Sequence, residues 1–234
     1  MKKLLVLNHK MGMLYDEVYY YIDKLNNIDT DMDIIVCPSD IYLEAFLNNS
    51  DYSVGCQNVH YDIDINNTGE ISTIQLKSLG VEYCLVGHYE RVNKFNEIPR
   101  IVNEKLLGIV DANIFPILFF GESESEDYKE AIPKKLDAYL NEVENIEFIT
   151  FAYEPEYAVG TGILPSVSRI KEVTEFISGY LEKKYHKKPN LLYGGSVDST
   201  NIKDIINIDS INGVVIGGLS SNIMEVEKII NMVK

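Results

Sequence analysis

The 234-residue chain carries 36 acidic side chains against 21 basic ones, a formal charge of −15. That balance argues against a nucleic-acid partner, because phosphate-backbone binding needs a clustered basic surface, and the one basic cluster, LEKKYHKK (181–188), reads as a solvated helix end. A hydrophobic fraction of 46% with 24% charged residues is ordinary for a globule in water, and no apolar run approaches the roughly 18 residues of a membrane-crossing helix.

The opening MKKLLVLNHKMGM has two lysines before a brief apolar run, without a signal-length core or cleavage site, so it reads as a first strand, LLVLN (4–8). It is the first of eight short apolar runs of the kind buried parallel strands show. Helical spacing follows in YDEVYYYIDKL, then come DIIVCP (33–38) and SVGCQN (53–58). ISTIQLKSLG is the weakest helical unit, being short, and it precedes YCLVGH (83–88). EIPRIVNEKLLGIV, with Pro99 read as interrupting the helix, leads to IFPILFFG (114–121). YKEAIPKKLDAYLNEV leads to IEFITFAYEP (146–155), SRIKEVTEFISGYLEKK to NLLYGG (190–195), and SNIMEVEKIINMV follows GVVIGG (213–218). Strand and helix alternate without a visible linker, which predicts one α/β domain over 1–234 built as a closed (β/α)8 barrel. An open doubly wound sheet is the alternative, but GxGxxG is absent after the first strand. Cys37, Cys56 and Cys84 are odd in number and embedded in apolar runs, which predicts small buried hydrophobes in a reducing cytoplasm.

In such a barrel the chemistry gathers where strands end. The polar residues there are Asn8 and Lys10, Gln57 and Asn58, His88 and Glu90, and Glu154. Pro155 favours an extended Glu154 aimed into the barrel mouth, a geometry that suits a general base, and AVGTG (158–162) has the small residues of a closing lid. Gly194-Gly195-Ser196 and Gly217-Gly218 are expected to open helices whose amides attract an anion, although a tight turn explains a glycine pair about as well.

These residues resemble the triosephosphate isomerase family. AYEP with GTG (152–162) is similar to its base and lid segment, VGHYER (86–91) to its electrophile motif and NHKM (8–11) to its strand-one lysine motif. VCPSDIYL, VGCQNV, TGEIS (68–72), FGE (120–122), LLYGGSV and VVIGG follow in the family's order. The resemblance implies a TIM barrel, normally a homodimer. It also implies interconversion of dihydroxyacetone phosphate and D-glyceraldehyde 3-phosphate, a step of glycolysis and gluconeogenesis, without metal or organic cofactor. By position, Glu154 is then the base, His88 the electrophile, Lys10 the positive charge for enediolate and phosphate, and Asn8 the group that orients the carbonyl. Amides near Gly160, Gly162, Ser196, Gly217 and Gly218 hold the phosphate, Tyr193 latches the closed lid, Glu90 sits beside Lys10, and Thr68 lies on the loop that reaches the partner subunit.

Several positions depart from the family pattern. Tyr89 replaces a serine that holds the base when the lid is open, so that hydrogen bond is expected to be lost or passed to the phenol, giving Glu154 a different resting pose. Phe119 replaces a cysteine, Glu156 and Tyr157 replace a small apolar residue and tryptophan, and Ile163-Leu164-Pro165 replaces a lysine-containing hinge. His9 stands for tryptophan and Gly12 for asparagine. Two alternatives therefore stay open: a paralogue isomerising a four-carbon ketose phosphate, and a non-catalytic phosphosugar-binding barrel. Taken singly, His88 also fits a core histidine, Lys10 a surface side chain and Tyr193 plain core.

Overall fold

The computed structural model describes residues 2–62, 64 and 66–234. Eight strands are present among them: β1 (Leu4–Asn8), β2 (Asp33–Cys37), β3 (Ser53–Cys56), β4 (Tyr83–Val86), β5 (Phe115–Phe120), β6 (Thr150–Tyr153), β7 (Asn190–Tyr193) and β8 (Gly213–Ile216). Each pairs in parallel with the next in chain order, and β8 closes on β1 with Val6 opposite Val215. The contact is tight at its start, where a Cβ on Gly213 would lie 2.0 Å from Leu4 O.

Side chains alternate along each strand. Val6, Ile35, Leu85, Ile117, Phe119, Ala152, Leu192 and Val215 fill the barrel interior, with bulky Phe119 in register with small Ala152. Their neighbours, including Leu5, Leu7, Val36, Leu118, Phe151 and Leu191, pack outward against the helices. Both faces are buried, which is why the strands read as unbroken apolar runs. The three cysteines are buried and unpaired, and burial pushes the Cys37 and Cys56 thiols up.

The helices are amphipathic covers. Helix α1 (Tyr15–Asn26) buries Val18, Tyr21, Ile22 and Leu25, spaced to share one face. Helices α2 (Leu43–Asn49) and α3 (Thr73–Leu79) are short. Helix α3 is nevertheless well punctuated, since Ser72 and Gln75 form a reciprocal capping box and Gly80 closes it at φ 97. The helix expected over EIPRIVNEKLLGIV is α5 (Pro99–Asp111), and a short helix the sequence reading lacked, α4 (Tyr89–Lys94), precedes it. Pro99 interrupts nothing; it occupies the first turn of α5, where its missing N–H has no intrahelical partner to lose. Helices α6 (Tyr128–Tyr139), α7 (Val167–Tyr185), α8 (Ile202–Ile206) and α9 (Ile223–Met232) complete the outer layer. Among the described residues no helix is long and apolar enough to cross a membrane.

Candidate active site

Glu154 is the residue after β6, and its N–H still donates to Phe120 O at 2.8 Å. Glycine at position 121 permits that approach, because a Cβ there would meet Glu154 O at 1.9 Å. The Glu154 side chain is 4% exposed; Oε1 lies 3.3 Å from His88 Nε2, and Oε2 accepts from the Tyr89 main-chain N–H at 3.0 Å. Burial pushes this carboxyl up, against the opposing pull of His88, the Tyr89 N–H and Lys10. A carboxylate with raised proton affinity is a better base for a carbon acid.

His88 caps the start of α4, with Nδ1 accepting from the Glu90 N–H at 3.2 Å. An accepting nitrogen carries no proton, so this arrangement holds the ring neutral with its hydrogen on Nε2, the nitrogen that faces Glu154. The Phe119 ring packs 5.0 Å from the imidazole. Sequence reasoning missed the cap. Its signal, an acid in the first turn after His88, was hidden by starting the helix at Glu97.

Lys10 adopts φ 51, a left-handed conformation that costs a non-glycine residue energy. Surrounding bonds hold it there. Its N–H donates to Asn8 Oδ1 at 3.2 Å, and its carbonyl accepts from Ser39 Oγ at 2.7 Å and Gln57 Nε2 at 2.8 Å. The Asn8 carbonyl is thereby occupied, which leaves Nδ2 as its donor toward the cavity it lines. Lys10 Nζ pairs with Glu90 Oε1 at 3.1 Å. Burial raises the Glu90 carboxyl, but the Lys10 bond and charge outweigh it and the net shift is downward. The lysine stem crosses Gly217, where a Cβ would lie 3.2 Å from Lys10 Cε.

Asn8, Lys10, His88 and Glu154 face one cavity of about 380 Å³, which Gly160, Gly162, Ser196, Gly217 and Gly218 also line. Gly217-Gly218 runs straight into a 3-10 turn, Gly218–Ser221. The expected helix start after Gly194-Gly195-Ser196 is not there, since α8 begins only at Ile202 and a loop intervenes. Ser196 Oγ instead donates to Ala158 O, at the start of the 158–162 segment, at 2.7 Å. Tyr193 is fully buried with its hydroxyl unpartnered, folded against Gly195, and burial pushes the phenol up. In this conformation it makes no bond to the 158–162 segment. Thr68 is exposed on the loop after β3 and does not line the cavity.

Among the departing positions, Tyr89 bonds Glu154 through its main chain and not its phenol. Glu156 pairs with Lys135 at 2.7 Å, Pro165 is buried, and His9 is buried between the rings of Tyr21 and Phe46 at 4.7 and 5.5 Å.

Fold and site together define a (β/α)8-barrel protein in which a buried carboxylate and a neutral imidazole share a glycine-edged cavity with a lysine. The sequence pattern of the triosephosphate isomerase family matches residues 3–233, and the chain belongs to that family. It is 34% identical to the triosephosphate isomerase of Francisella tularensis subsp. mediasiatica, over 99% of this chain and 97% of the relative. Identity is 33% to that of Thermodesulfovibrio yellowstonii, over 98% of each chain. It is 31% to that of Francisella philomiragia subsp. philomiragia, over 99% and 97%.

Proposed function

We propose that the protein interconverts dihydroxyacetone phosphate and D-glyceraldehyde 3-phosphate through an enediolate. Glu154 takes the proton from one carbon and returns it to the next. His88 donates from Nε2 to the carbonyl oxygen and shuttles the hydroxyl proton, while Lys10 stabilises the negative charge and Asn8 orients the oxygen. The phosphate lies against the amides of Ser196, Gly217 and Gly218 and of the lid at Gly160 and Gly162, Tyr193 latches the closed lid, and no cofactor takes part. The observation that carries this reading is the approach of Glu154 Oε1 to His88 Nε2, 3.3 Å apart in a buried site. A base and an electrophile are what deprotonation beside a carbonyl needs, and what a mere binder does not.

The domain is a single unit over 1–234 acting in the cytoplasm, and the protein works as a homodimer through the loop around Thr68. Large apolar side chains exposed on the loops after β1, β2 and β4, including Met11 at 92%, Ile41 at 80% and Phe95 at 62%, support that assembly.

A coupled isomerase assay with triose and tetrose phosphates side by side tests the reading, with triose phosphate expected as the better substrate by kcat/KM. Glu154→Gln should lower kcat by about three orders of magnitude while binding of a phosphoglycolate-type anion stays within a few fold, because the base acts on the transition state. Wild-type turnover in that variant removes Glu154 from the mechanism.

A further inference from the structure

The first lid residue after Pro155 is charged, and so is the side chain that meets it. Glu156 Oε1 lies 2.7 Å from Lys135 Nζ on α6, and the same ammonium donates to Gly121 O at 2.6 Å. The Glu156 N–H donates to Glu122 O at 3.0 Å. Main chain and side chain of Glu156 are both tied to the segment that leaves β5. Further along, Thr161 Oγ1 donates to Tyr157 O at 2.9 Å and the Ile163 N–H to Thr161 Oγ1 at 3.1 Å, bonds internal to the lid. Gly160 and Gly162 there sit at φ 65 and 74, with open space around both. The ion pair also adjoins the base, because Lys135, Glu156, Tyr89 and Glu154 line one cavity of about 10 Å³. Its two side chains are 21% and 22% exposed, which shields the pair from the screening that weakens surface pairs.

We propose that Lys135 is a positioning residue for the isomerisation, clamping Glu156 to the end of β5 so that the lid turns about a point beyond Glu156. The main chain of Glu154, two residues earlier, then stays aligned while the lid moves. The proposal rests on the isomerase reading above. Without the clamp the first lid turn travels with the rest and disturbs the base, and an incompletely covered enediolate loses phosphate. In that side reaction the enediolate oxygen pair forms a C=O bond, the C=C pair moves onto the neighbouring C–C bond and the C–O bond to phosphate breaks; the phosphate takes up the proton that Glu154 had removed, leaving inorganic phosphate and the enol of a 2-oxo aldehyde.

Lys135→Met, Lys135→Arg, Glu156→Gln and the Lys135→Met/Glu156→Gln double variant, assayed on triose phosphate, test the clamp. Lys135→Met should lower kcat about tenfold with KM within about twofold, and raise phosphate released per turnover severalfold. Lys135→Arg should restore most of kcat, and the double variant should be no worse than either single one. Hydrogen exchange of peptides covering 153–158 should speed up in Lys135→Met. Unchanged kcat and phosphate release overturn the proposal, as does a loss in Lys135→Arg equal to that in Lys135→Met. Should wild type lack isomerase activity, the isomerase reading fails by itself; exchange still judges the clamp, and unchanged exchange in Lys135→Met overturns it.

Discussion

Glu154 is anchored to Tyr89 through a main-chain N–H at 3.0 Å, so the phenol and the amide of position 89 can be separated experimentally. Tyr89→Ser removes the ring and keeps the donor. Tyr89→Pro removes both, and the backbone accepts it, because position 89 opens α4 and His88 sits at φ −55, ψ 138, a conformation a following proline favours. The N–H stabilises the charged carboxylate, so losing it pushes Glu154 further up. The acid limb of the kcat/KM profile should therefore move to higher pH by about one unit in Tyr89→Pro, and by less than about 0.3 in Tyr89→Ser. Equal shifts in the two variants would assign the effect to the ring. His9 poses a different problem, since both ring nitrogens are buried without partners and burial lowers its pKa to about 3. Between pH 6.5 and about 3 the unfolded chain binds a proton there that the folded chain refuses, so stability rises with pH and is lost on acidification. His9→Phe abolishes this term. Urea unfolding at fixed protein concentration should show the variant losing less stability between pH 7 and pH 4, by up to about 1.4 kcal/mol per pH unit below 6.5. Parallel losses in both proteins would sink this account.

Elements were legible in the sequence to the degree that burial wrote them there. All eight strands stand out as apolar runs because they are covered on two faces, and α1 shows its spacing because one face meets the barrel. The region after β4 was misread because Pro99 signals a helix start as readily as a break, and the six-residue α4 is too short for any period to show. That misreading hid the His88 cap as well. The loop after β7 was misread for a related reason: Gly194-Gly195-Ser196 announces a turn, but nothing in it says whether a helix follows at once or after several residues. At the site, the AYEP and VGHYER motifs aside, the identities of Asn8, Lys10, His88 and Glu154 were readable from their positions at strand ends. Their support was not. The left-handed Lys10, its carbonyl held by Ser39 and Gln57 from two other loops, and the Lys135–Glu156 ion pair are long-range facts that no local pattern contains.

For the whole molecule, charge and assembly pull in opposite directions. The exposed apolar side chains Met11, Leu14, Tyr15, Ile41, Tyr61, Phe95 and Ile98 all belong to connections that follow β1 to β4, four consecutive staves of the barrel. They therefore gather on one side of its mouth, and the Tyr15 and Tyr42 rings, from adjacent loops, lie 6.5 Å apart. Burying that surface against a second copy is favourable by about 25 cal/mol per Å² of apolar area. Each copy, however, brings a formal charge of −15, so a pair carries twice that and repels itself at low ionic strength. Salt screens this repulsion over a Debye length of about 8 Å at 0.15 M and leaves the apolar contact intact. Dimerisation should therefore tighten as salt rises from about 0.01 M to 0.15 M, the reverse of an interface held by ion pairs. Sedimentation velocity across a dilution series at both salts measures it directly, and Ile41→Lys should weaken association at both by placing a charge on the apolar patch. A chain that stays monomeric at micromolar concentration in 0.15 M salt would end the dimer proposal; a dimer that loosens with salt would keep the assembly and transfer its driving force to ion pairs.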